Sequence, residues 1–105
     1  AQMGEPEACC NALSALAALH SAVGEAEEAV GCLERALAES QEQLPDKRAL
    51  HAKVMGELGN VWVQLGQPER GIELYHGALA AAEEAADDER CMRVHGNLAL
   101  AMKDL

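Results

Sequence analysis

Phenylalanine is absent from this chain of 105 residues, and one Trp and one Tyr bring aromatic content to only 2%. A core with so few rings has to close through small and aliphatic side chains. Long apolar runs are also missing. None approaches the ~20 residues that a membrane-spanning helix needs. Cations are scarce: 8 Lys and Arg stand against 18 Asp and Glu, for a net charge of −10. They are scattered, which excludes a nucleic-acid binder, because phosphate contacts need clustered cations. No basic stretch followed by an apolar one marks a secretory leader. The four cysteines, Cys9, Cys10, Cys32 and Cys91, are too few, and two of them too close, for a disulfide framework. Reduced thiols in a cytoplasmic protein are the simpler expectation. The chain opens on Ala1 rather than Met, as an excerpt of a longer protein would. It is too short for two ordinary domains.

Alanine makes up about a fifth of the residues, and half the chain is hydrophobic. Alanine is the best helix former and β-branched residues are few, so the expected fold class is all-α. Proline and glycine set the boundaries. Pro6 suits the first turn of a helix that runs on through Ala8 to Val23, with Leu13, Leu16 and Val23 on one face. Gly24 interrupts. Glu25 to Glu42 carries a second stripe of Ala29, Val30, Leu33, Ala36 and Leu37, and Leu44-Pro45-Asp46 ends it. A third helix is expected over Lys47 to Leu65, with Leu50, Val54, Met55, Leu58, Val61 and Trp62. Gly66-Gln67-Pro68 breaks the chain before a fourth, which holds Ile72, Leu74, Tyr75, Ala78, Leu79 and Ala82. Asp87-Asp88 starts a fifth, since acids favour helix N-termini. It carries Val94, Leu98, Ala99, Met102 and Leu105.

The chain also repeats. Shifted by 42 residues, Leu13 falls on Met55, Leu16 on Leu58, Ala17 on Gly59, His20 on Trp62, Val23 on Leu65 and Gly24 on Gly66. Ala29, Leu33 and Ala36 fall on Gly71, Tyr75 and Ala78. Shifted by a further 40, His95, Leu98, Ala99 and Met102 take the places of Met55, Leu58, Gly59 and Trp62. A fixed period of this size means a stacked array. Small residues at 17 and 59 let paired helix axes approach to about 8–10 Å, with Trp62 and Tyr75 expected to fill the space.

The segment from Leu58 to Leu79 resembles a tetratricopeptide repeat. It has Met55, Leu58-Gly59, Trp62, Leu65-Gly66, Gly71, Tyr75 and Ala78 at that family's offsets. Residues 13–36 repeat the pattern. Two features depart from it: the Pro that ends the second helix is missing, and the period is 40–42 rather than 34. Similar long spacing occurs in kinesin light chains and in the G-protein-signalling modulators, and Glu57-Leu58-Gly59-Asn60 is more similar to the latter. The resemblance implies a solenoid of antiparallel helix hairpins, five helices in all, built as an N-terminal lead (1–7) and an array (8–105). Repeat one would span about 10–43 and repeat two about 52–85, with a partial third over 92–105.

The candidates for chemistry are weak. Cys91 and His95 stand i, i+4, but a structural zinc site needs four ligands. Cys9, His51 and Cys91 share a register on successive helices too far apart to converge. Ser14, Ser21 and Ser40 lack a nucleophile context. His20 and His95 occupy large-residue slots and are expected to pack. Neighbouring acids such as Glu27-Glu28 diverge by about 100° on a helix, so they form no acid/base pair. No enzyme activity, cofactor or metal is expected.

Charge is uneven: residues 25–42 and 67–86 hold ten acids and two bases. The resemblance puts these second helices on a convex back and the first helices around a concave groove. The groove face would carry Lys53, Gly56, Glu57, Asn60, Val63 and Gln64 in repeat two. It would carry Arg93, Gly96, Asn97, Leu100, Lys103 and Asp104 in repeat three, and Asn11, Ser14, Ala15, Ala18, Ser21 and Ala22 in repeat one. Lys53 and Arg93 would form a positive edge, and the amides of Asn60 and Asn97 can pair with a peptide backbone. The implied role is a protein-interaction scaffold or adaptor in signalling. A protein or peptide partner would be held by Lys53, Asn60, Gln64, Arg93, Asn97 and Lys103, with no nucleic acid and no membrane insertion. The alternative is an internal stretch of a longer superhelix with no ligand of its own, prone to self-association when isolated because no following helix covers Leu98 and Met102.

Overall fold

The computed structural model describes residues 5–103. Asp104 and Leu105, placed above in the groove and on the fifth helix, lie outside the described residues. Five helices follow one another: α1 Glu5–Ala22, α2 Ala26–Gln43, α3 Arg48–Gln64, α4 Pro68–Glu84 and α5 Asp88–Lys103. The first three connections fall within a few residues of the Pro and Gly positions, and the fourth falls at Asp87-Asp88. Pro68 sits in the first turn of α4, where its missing N–H is no loss. Asp87 caps α5 by accepting the Arg90 backbone N–H at 3.1 Å. The stretch expected as a lead is already helical at Glu5.

The helices pair as antiparallel hairpins. α1 packs on α2 and α3 on α4, and α2 and α4 each also pack on the helix that follows. In addition α1 touches α3 and α3 touches α5, whereas α2 and α4 do not meet among the described residues. The odd-numbered helices therefore crowd together on the inner side, and α2 and α4 splay apart on the outer side. The result is a stack about 45 × 31 × 19 Å.

The three connections α1–α2, α3–α4 and α4–α5 share one geometry. At the second, the Gly66 N–H bonds Val63 C=O at 3.0 Å and the Gln67 N–H bonds Trp62 C=O at 2.9 Å. This is the Schellman arrangement, which needs a left-handed residue past the helix end. Gly24 (φ 85°) and Gly66 (φ 81°) supply it, but at the third connection Ala86 holds φ 55°. A Cβ in that region costs about 1–2 kcal/mol. Ala86→Gly is expected to raise stability by about 0.5–1 kcal/mol after the entropy of glycine in the unfolded chain is subtracted. A higher urea midpoint at unchanged slope would show it.

The hairpin α3–α4 closes on two glycines. A Cβ at Gly59 would lie 2.8 Å from the Tyr75 ring, and one at Gly71 would lie 2.8 Å from the Gly59 carbonyl oxygen and 2.6 Å from Val63. In α1–α2 the same crossing is made by Ala17, Ala29 and Leu33, all buried. Tyr75 fills the space beside Gly59, as the pattern expects. Trp62 does not: it is half-buried, with the Arg70 guanidinium 4.7 Å from its ring centre. Its ring borders an outer cleft shared with Glu27, Val30, Leu65 and Gln67.

Three apolar expectations are corrected. Leu16 and Val23 are exposed, and Leu19 beside them is 66% exposed. Val54, Leu58 and Val61 of α3, and Val94, Leu98 and Ala101 of α5, are buried, and each of those helices follows an outer helix. Ala12, Leu16 and Leu19 hold the same register on α1, which has no described helix before it. Leu98, expected to be uncovered, is buried against the preceding hairpin, within the cluster of Tyr75, Leu79 and Val94. His95, expected to pack, is exposed, and so are Met92 and Met102. These occupy the face that α4 covers in repeat two, and no described helix follows α5 to cover it.

Candidate functional site

The inner face of α1, α3 and α5 is cross-linked by polar side chains. Lys53 Nζ donates to Asn11 Oδ1 at 3.4 Å, Ser14 Oγ to Glu57 Oε1 at 2.5 Å, and Ser21 Oγ to Gln64 Oε1 at 2.7 Å. Between α3 and α5, Asn97 Nδ2 donates to Asn60 Oδ1 at 3.3 Å. The three α1–α3 pairs lie 42 or 43 residues apart, close to the period read in the sequence, whereas Asn60 and Asn97 lie 37 apart, about one turn out of register.

Of the six expected ligand contacts, Asn60 and Asn97 are brought together. Asn60 Oδ1 also accepts the Tyr75 hydroxyl. Its acceptor is therefore committed to holding the face, while Asn60 is exposed and its Nδ2 group has no acceptor among the described residues. Burial raises the Tyr75 pKa, so the phenol stays protonated and donates. Gln64 and Lys53 bond Ser21 and Asn11 of α1. Arg93 pairs with Glu89 one turn earlier on α5, at 3.0 Å. Lys103 is exposed near the end of α5.

Two clefts open on either side of Asn60. The first, about 170 Å³, lies between α1 and α3. Ala17, Ala18, Leu33 and Val61 form its apolar wall, with Ser14, Ser21, Glu57 and Asn60 as its polar atoms. The second, about 210 Å³, lies between α3 and α5 and is bordered by Asn60, Val63, Tyr75, Asn97, Leu100 and Ala101. The Tyr75 hydroxyl at this face belongs to an outer helix, and nothing in the spacing of Tyr75 pointed there.

The cysteines and buried histidine have packing roles. All four thiols are free. Cys10 is fully buried and its Sγ lies 3.4 Å from the Ala36 carbonyl. Burial, then the nearby Cys9, Glu39 and Glu7, push its pKa up. Cys91 is raised in the same way by burial, Glu83, Asp88 and Asp87. His51, counted above only as a register partner of two cysteines, is 1% exposed. Its Nε2–H donates to the Ser40 and Leu44 carbonyls at 3.1 and 3.0 Å, closing the end of α2. Its Nδ1 accepts from Arg48 at 2.8 Å, and Arg48 in turn grips Glu84 at 2.6 Å. Among the described residues no group of three His, Cys, Asp or Glu is placed to hold a metal ion, and no helix is long and apolar enough to cross a membrane.

Comparison with known families agrees with this architecture. Residues 12–47 match the tetratricopeptide repeat. The all-α fold of five consecutively packed helices is consistent with a tetratricopeptide-repeat solenoid. The match covers α1 from Ala12, all of α2 and the connection to Lys47, which is the first hairpin of the stack. No curated protein matches the chain. Tetratricopeptide repeats are in general protein-interaction modules and not catalysts.

Proposed function

We propose that the chain is a protein-interaction module that binds an extended or helical segment of a partner protein along the inner face of α1, α3 and α5. The observation that carries this is the pair of clefts flanking Asn60, whose Nδ2 has no acceptor among the described residues. A backbone carbonyl of a bound segment would satisfy that donor while its side chains enter the clefts. Asn97, Gln64, Lys53, Arg93 and Lys103 edge the same face. The role is that of a scaffold or adaptor, with no catalysis and no cofactor. The free thiols favour the cytoplasm, and the acidic surface disfavours nucleic acid. The 40–42-residue period of the sequence supports the long-period subtype shared with the G-protein-signalling modulators and kinesin light chains, and hence a signalling context.

Selection from a displayed library of random dodecapeptides tests the groove. Ala18 and Leu100 are exposed at the two clefts. Ala18→Trp and Leu100→Asp should weaken the selected peptides about tenfold or more, while Ala80→Trp on the outer helix α4 should leave them within about twofold. Equal retention by all three variants would remove the groove reading.

A second reading is favoured by the apolar end faces. Leu19 and Val23 on α1 and Met92 and Met102 on α5 are each more than half exposed, as expected of an internal stretch of a longer superhelix. Isolated, the chain should then self-associate, and sedimentation should show a mass that rises with concentration and falls back in Leu19→Lys/Met92→Lys. A clean monomer at high concentration would contradict this.

A further inference from the structure

We propose that the cleft between α1 and α3 takes the side chain of a lysine or arginine from the bound segment. This rests on the groove reading and adds the chemistry of one position. The cleft is single-side-chain in size: its ~170 Å³ compares with the ~150 Å³ that holds one benzene ring, well below a drug-sized pocket. Its wall is apolar, from Ala17, Ala18, Leu33 and Val61, and its one charged group is Glu57. Glu57 accepts from Ser14, but among the described residues no cation lies within 4 Å of it. Lys53, one turn earlier on the same helix and in reach by spacing, turns to Asn11 instead.

An apolar shaft with an unneutralised carboxylate matches one kind of side chain. Lysine and arginine bury a methylene stem and present a cation at its end. A leucine in this cleft would strip water from Glu57 without replacing its hydrogen bonds. An acidic residue would meet a like charge. Neutral polar residues would leave the shaft half filled. The second cleft, bordered by Val63, Leu100 and Ala101 with no charged group, suits an apolar side chain. The segment therefore carries a basic and an apolar residue on one face, with the carbonyl between them on Asn60 Nδ2.

A net charge of −10 attracts cationic peptides anywhere, so the test has to separate the cleft from the general field. Dodecapeptides selected on the wild-type chain are measured against Glu57→Gln and against Glu73→Gln, an exposed outer-helix carboxylate. Both variants remove one negative charge, and the glutamine at 57 still accepts from Ser14. The expected result is a selected Lys or Arg whose change to Met weakens binding about tenfold on the wild type and on Glu73→Gln, but by less than about twofold on Glu57→Gln. The Lys→Met or Arg→Met change is in the peptide, so it reads the contact even if a protein variant is destabilised. Peptides that need the groove, by loss on Ala18→Trp, yet lack a basic residue or ignore Glu57 would overturn the proposal and leave the groove standing. Peptides indifferent to Ala18→Trp and Leu100→Asp would remove both.

Discussion

Gly71→Ala is expected to cost about 2–3 kcal/mol and to lower Tm by about 10–20 °C. The added Cβ would stand 2.8 Å from the Gly59 carbonyl oxygen and 2.6 Å from Val63 Cγ2. The valine can rotate, but the carbonyl is backbone in the middle of α3. Relief therefore requires the α3 and α4 axes to separate, which loosens Tyr75 and the Asn60 contact together. Gly59→Ala should cost less, because its closest neighbour is the Tyr75 ring at 2.8 Å and its backbone neighbour is further, at 3.1 Å. Gly31, with nothing within 4 Å of a Cβ, supplies the control. Gly31→Ala should stabilise by up to about 1 kcal/mol from helix propensity alone. Thermal melts of the three variants by circular dichroism separate these cases. An unchanged Tm in Gly71→Ala would mean that the hairpin is not closed at this crossing.

His51→Ala is expected to cost about 3 kcal/mol, from a cavity and from two carbonyls left without the donor they share. The imidazole ties three elements: the C-terminal turn of α2 through Ser40 and Leu44, its own helix, and through Arg48 the Glu84 carboxylate on α4. His51→Gln keeps an N–H donor of similar reach and should recover about half of the loss. Hydrogen exchange should show the effect locally. The Leu44 N–H, which bonds Ser40 C=O at 2.9 Å, should exchange much faster in His51→Ala than in the wild type, while the Gly66 turn remains protected. Loss of protection spread evenly over all five helices would contradict this local role.

Three of the four helix connections were legible in proline and glycine, whose backbone limits act locally, and the fourth in the acids Asp87 and Asp88 that begin α5. The stacking was legible because the period repeats the same small and large residues at 17, 29 and 33 and at 59, 71 and 75. What the pattern could not supply was which faces have neighbours. Leu16 and Leu58 are the same letter at the same register, yet one is exposed and the other buried, since α2 precedes α3 and no described helix precedes α1. Leu98 and Met102 were both expected to be bare, but their sides of α5 differ: one meets the preceding hairpin and the other does not. Polar roles were harder still. His51 gives no local sign that it will cap a helix eleven residues away. Asn60 lies on the inner face, and its committed acceptor depends on Tyr75, whose hydroxyl reaches that face from an outer helix. The Glu57 cleft needed Ala17 and Leu33 of the first hairpin beside Val61 of the second, a juxtaposition that only packing creates.

The most direct test of the groove is amide NMR of the isotopically labelled chain, titrated with a dodecapeptide selected on the wild type. The account predicts that shifts concentrate on α1, α3 and α5 around Ser14, Asn60 and Asn97, with the Asn60 side-chain amide among the largest, while the outer surface of α2 and α4 stays unchanged. Shifts confined to α2 and α4, or to the outer cleft beside Trp62 and Gln67, would contradict it.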